Sequence, residues 1–208
     1  MSSDEPSNFV GIVSWFLLIC SGFAVFSRLS ARFAVFRKLG MDDGFSVASL
    51  LFNIGAGIAV TFQCANGLGT DTKDLPQAKA EKFEKATFAL EILYISTLCF
   101  AKLSIMFLLR RLSPDDYHQK AGTAIGCLVA LWGSIAILVI GFHCEVPATW
   151  KSINGKCINI GAFWHTAGVF NIITDLLLIL YPIYIIQSLQ MSLKRKIKVL
   201  LCFGTRGL

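Results

Sequence analysis

Five stretches of the chain run almost unbroken in apolar residues, at positions 9–29, 44–66, 86–109, 121–142 and 162–186. At about 1.5 Å rise per residue, each is long enough as a helix to cross a hydrocarbon core of about 30 Å. Their apolar character is continuous, whereas the strands of a membrane barrel would alternate over roughly ten residues. The pattern therefore predicts an all-α, polytopic transmembrane helix bundle. The whole chain, 1–208, reads as a single membrane domain with five complete spans and a partial sixth at 197–208, and no stretch is left for a soluble domain.

Composition agrees with this reading. Of 208 residues, 55% are hydrophobic and only 15% charged, and the mean hydropathy is +0.65, too apolar for an ordinary soluble domain. Residues 1–8 carry Asp4 and Glu5 but no cation. The first apolar run is too long for a cleaved signal core, so it is expected to remain as the first helix. Arg28, Arg32, Arg37 and Lys38 follow it directly, which predicts a cytoplasmic first loop and an N-terminus outside. Alternate loops agree. The expected inner loops also hold Arg110, Arg111, Lys120, Lys194, Arg195, Lys196 and Lys198, eleven cations in all, against six in the outer loops. The net charge of +6 thus reports topology in a lipid bilayer and calls for no nucleic-acid partner.

Three charges fall at membrane depth. Glu91 and Lys102 lie in the third span and Asp175 in the fifth. Each costs roughly 3 kcal/mol at the centre of an inserting helix, so each should face protein or water. On one helix, Glu91, Ile95, Leu98, Lys102 and Ile105 share a stripe, the expected inner face. Glu91 and Lys102 are separated by about 16 Å along the axis and cannot pair. If the third and fifth spans both run inward from outside, Lys102 and Asp175 reach depths of about 24 and 20 Å. An ion pair between them is expected, either as a structural tie or as part of a conformational switch. Glu91 lies about 8 Å deep, level within a turn with Trp164 and His165. These three could wall a ligand pocket opening outward; the alternative is a water-exposed Glu91 near a helix end.

The loops add local signals. Gly67, Gly69 and Pro76 mark turns. The charged run 76–85 reads as a solvated connector, with a short surface helix as the alternative. The fourth loop holds Cys144 and Cys157 around Pro147 and Trp150. In an oxidising outer compartment a bridge between these cysteines would constrain the loop by about 3 kcal/mol; two free thiols are the alternative, and Cys64 is a competing partner. Cys20, Cys99, Cys127 and Cys202 should pack as small hydrophobes. Gly55, Ala56 and Gly57 would allow close helix contacts within the molecule, with contacts between copies of the chain as the alternative. No GxSxG, HExxH, P-loop or dinucleotide fingerprint occurs, so no catalytic residue is assigned, and no metal set or cofactor is expected.

Leu39, Gly40, Asp42 and Asp43 after a basic first loop resemble the fungal rhodopsin-domain integral membrane proteins, which are heptahelical and include receptor-like proteins of filamentous fungi. Further matches are Gly67 and Gly69; Lys102, Ser104 and Ile105; the Cys144, Pro147, Trp150, Cys157 loop; and Asp175 with Pro182. Leu189 to Met191, then Lys196, Phe203 and Gly204, extend the likeness over nearly the whole chain. Asp71 stands where the family usually has a histidine. The family continues through a sixth and seventh helix, so the resemblance implies a truncated gene model or a shortened product. A Schiff-base lysine would belong on the last helix, and no chromophore is assigned. What the resemblance implies is a receptor-like protein that senses an extracellular small molecule and engages a cytoplasmic signalling protein. The alternative function is a membrane-bound accessory protein, transporter or enzyme of a fungal secondary-metabolite pathway.

Overall fold

The computed structural model describes residues 4–36, 40–68, 76–112, 116–142 and 160–188. These form five α-helices: α1 (Asp4–Phe36), α2 (Met41–Ala65), α3 (Gln77–Leu112), α4 (Asp116–Gly141) and α5 (Ile160–Ser188). There are no strands among the described residues, and each helix is long and apolar enough to cross a membrane. The expected partial sixth helix lies outside the described residues.

The helices are longer than the apolar runs that predict them. The largest difference is at the start of α3, where the charged run after Pro76 is helical rather than a connector. Pro76 supplies the reason. Its carbonyl accepts from Lys79 N at 2.8 Å and Ala80 N at 3.1 Å, and a proline costs nothing where no intrahelical donor is needed. Lys85 Nζ then reaches Glu81 Oε1 at 2.7 Å, one turn apart, a spacing that supports a helix.

Helix α3 is the hub, packed against α2, α4 and α5, while α1 packs on α2. For that reason its buried residues are not the single expected stripe. Ile95 and Lys102 are buried, but so are Ser96, Ser104, Met106, Leu108 and Leu109, whereas Leu98 and Ile105 are only half-buried. A helix with three neighbours buries several faces.

The α3–α4 contact depends on small residues. Gly122, Gly126, Val129, Gly133, Ala136 and Ile140 form the buried face of α4. A Cβ on Gly133 would stand 2.8 Å from Cys99 Sγ, so the helices approach there as only glycine permits. In contrast, the small residues of α2 have separate roles: Gly55 faces Leu93 on α3 and Gly57 faces Leu18 on α1. Polar side chains tie the remaining seams. Asn53 Nδ2 donates to Ser21 Oγ at 2.8 Å, Ser49 Oγ to Thr97 O at 3.2 Å, and Gln63 Nε2 to Thr87 Oγ1 at 2.9 Å.

Gly67 closes α2 with φ 112°, a conformation that disfavours any side chain. Leu68 N then donates back to Gln63 O at 3.1 Å, the six-to-one bond of a Schellman cap.

Candidate functional site

Two apolar clusters divide the bundle along its length. One contains Ile95, Ala136 and Ile140 with Trp132, Phe163 and Trp164 packed against it. The other contains Met106, Leu109, Leu178 and Tyr181. Between Ile95 and Met106 on α3 lies Lys102, where α3 meets α5.

Lys102 Nζ is 2.9 Å from Asp175 Oδ1. It also donates to Thr174 Oγ1 at 2.5 Å and to Asn171 O at 3.0 Å. An ammonium has three donors, so a single turn of α5 takes all of them. The Thr174 hydroxyl can accept because it donates back to its own helix, at 2.9 Å from Phe170 O. The two ends of the pair differ in exposure: the Lys102 side chain is 9% exposed and that of Asp175 51%. So fully engaged an amine is not arranged as a nucleophile or proton acceptor; its geometry joins two helices. One turn below Leu178, Pro182 interrupts α5, removing the N–H that would have bonded to the Leu178 carbonyl.

A second charged cluster ties α1, α2 and α3 together. Asp42 and Asp43, both buried, sit in the first turn of α2. Arg32 Nη1 contacts Asp42 Oδ2 at 2.5 Å and Asp43 Oδ2 at 3.3 Å. Arg28 Nη2 lies 3.3 Å from Asp42 Oδ2, and its Nη1 donates to Ser46 Oγ at 3.2 Å. Gly40 N donates to Asp43 Oδ2 at 3.0 Å, and carboxylates are favoured at a helix N-terminus in any case. From α3, Ser104 Oγ donates to Asp42 O at 2.8 Å. The family-motif aspartates thus lock a corner of the bundle. In the sequence, Arg28 and Arg32 read only as topology signals. The readable clue was their spacing of four beside two adjacent aspartates and Ser46.

The third expected grouping comes together only in part. Trp164 packs near Tyr94, with ring centroids 6.0 Å apart, one turn along α3 from the half-buried Glu91. His165 is exposed. None of the three cavities described in the bundle is lined by Glu91, Trp164 or His165. Gly69, Cys144, Pro147, Trp150 and Cys157 lie outside the described residues, as therefore does the expected disulfide. Its competitor Cys64 is a free thiol, donating to Ser7 O at 3.4 Å. No cluster of three or more metal-ligating side chains occurs among the described residues.

Over residues 27–208 the chain matches the fungal rhodopsin domain. Two curated relatives are similar to it. One is a SAT4 family membrane protein of Emericella nidulans, 26% identical over 146 residues that cover 67% of this chain and 38% of the relative. The other is a polyenoic acids biosynthesis gene cluster protein of Metarhizium anisopliae, 29% identical over 191 residues that cover 86% of this chain and 51% of the relative. The chain thus spans about half the length, or less, of these relatives. No solved structure matches it.

Proposed function

Because the chain belongs to the fungal rhodopsin domain family, we propose that it acts as a receptor-like multi-pass membrane protein whose signal passes through the joint between α3 and α5. The observation that carries this reading is the Lys102–Asp175 pair. A charge pair at membrane depth is costly unless its partners are well placed, and here one carboxylate is half-exposed. A cue that changes the surroundings of Asp175 would alter the grip of α5 on Lys102 and so the packing of the two helices. Such a signal needs a cue with different affinities for the paired and parted states. The extracellular cue and the cytoplasmic signalling protein belong to this proposal, as does the N-terminus-outside topology that the basic loops imply.

The test is co-purification of a heterotrimeric G-protein α subunit with the solubilised full chain, with and without concentrated culture medium as the source of the cue. Medium-dependent capture that Asp175→Asn abolishes is expected. Capture that ignores both medium and variant would overturn the receptor reading.

A second reading has one observation in its favour: the Metarhizium relative is named as a polyenoic acids biosynthesis gene cluster protein. Under it the chain is a membrane component of a metabolite pathway. Loss of a secreted metabolite on gene deletion, with no G-protein capture, would select it.

A further inference from the structure

At the end of the bundle that carries Arg28 and Arg110, two cavities meet. The first, about 260 Å³, lies between α2, α3 and α4. Its walls are apolar, formed by Phe45, Leu103, Met106 and Phe107, and Gly122 and Gly126 of α4 line it without side chains. The second, about 350 Å³, is more polar and is bounded by the Gly40–Asp42 turn and Gln119. Phe107 and Arg110 belong to both. The apolar slot therefore leads past Arg110 into a polar vestibule.

Arg110 is the cation among the residues lining either cavity, and it makes no ion pair with any described residue. The nearest carboxylate in the vestibule, Asp42, is engaged by Arg28 and Arg32. Its charge is balanced, which leaves the Arg110 guanidinium for an incoming anion. A guanidinium fork matches a planar carboxylate with two parallel hydrogen bonds. At about 260 Å³ the apolar slot is of modest volume for a ligand site, which suits one hydrocarbon chain. We infer that this groove binds a single-chain, long-chain carboxylate, its chain along Phe45, Leu103 and Met106 and its carboxylate on Arg110. A two-chain phospholipid would bring a second chain the slot has no room for and a bulky phosphodiester to one guanidinium. The inference does not depend on the Lys102–Asp175 joint.

The test uses the full chain in phosphatidylcholine nanodiscs with a palmitic acid probe carrying a diazirine and an alkyne, followed by peptide mapping. Saturable labelling confined to the lining of the slot, Phe45 and residues 103–130, is expected, displaced by palmitate but not by hexadecanol, which lacks the carboxylate. Arg110→Gln, an exposed position, should fold normally and bind about tenfold more weakly, the value of one charge-assisted contact. Gly126→Leu should block labelling, because a Cβ there is tolerated at 3.9 Å from Leu103 while the longer side chain enters the slot. If that variant fails to fold, Arg110→Gln and the two competitors still decide. Non-saturable labelling of all helices, equal displacement by hexadecanol, unchanged binding in Arg110→Gln, or preferential labelling by a diazirine phosphatidylglycerol would each overturn the inference.

Discussion

Lys102 Nζ and Asp175 Oδ1 stand 2.9 Å apart, the lysine nearly sealed and the aspartate half-open. That asymmetry decides what each substitution should do. Asp175→Asn leaves a buried ammonium with two neutral acceptors, Thr174 and Asn171. It should lower stability by about 3 kcal/mol, since losing one partner strands a buried charge. Lys102→Met leaves a carboxylate that is half-exposed and should cost less. The double variant should recover part of the loss, and a double-mutant cycle on thermal unfolding in micelles measures the coupling. If both single variants retain wild-type stability and medium-dependent capture, the pair is neither tie nor switch.

The corner built by Asp42 should behave as a structural lock. Asp42→Asn removes the anion shared by Arg28 and Arg32 and is expected to cost about 1–3 kcal/mol. Proteolysis between α1 and α2 should accelerate alongside the drop in melting temperature. Lys102-dependent behaviour should stay intact, because the clusters share no residue.

Glycines on two helices give a paired test of packing. Gly133→Ala places a methyl 2.8 Å from Cys99 Sγ and should destabilise by about 1–3 kcal/mol, as overpacking does. Adding Cys99→Ala should restore much of that loss. Gly168→Ala meets nothing within 4 Å and should be neutral or gain up to about 1 kcal/mol through helix propensity. Equal effects at the two positions would show that the α3–α4 approach is looser than described.

At the cap of α2, Gly67→Ala should lose about 1–2 kcal/mol, the strain of a side chain in the left-handed region. Thermal melting of that variant beside Gly44→Ala, where a Cβ meets nothing within 4 Å, separates backbone strain from crowding.

The spans were legible because membrane helices are long apolar runs, and five of them leave little ambiguity. The Lys102–Asp175 contact was legible from depth alone, since a charge in the bilayer needs a partner and few are available at each level. The helical start of α3 was not, because a charged run reads as loop until Pro76 is seen to accept its first backbone bonds. Nor were the arginine partners of Asp42 and Asp43 apparent. The four-residue spacing sets Arg28 and Arg32 on one face of α1, but which acids they meet depends on how α2 docks against that face. The groove at Arg110 was equally hidden: Phe45, Phe107 and Gly126 come from three helices and meet only in the packed bundle.

The most direct measurement is a solid-state NMR distance between 15N-lysine and 13C-aspartate in the full chain reconstituted in bilayers. Among the described residues Lys102–Asp175 is the lysine–aspartate ion pair, so an Nζ–carboxylate contact within about 4 Å that is lost in Asp175→Asn is expected. Absence of that contact in the wild-type chain, or its persistence in Asp175→Asn, would contradict the claim that this pair joins α3 to α5.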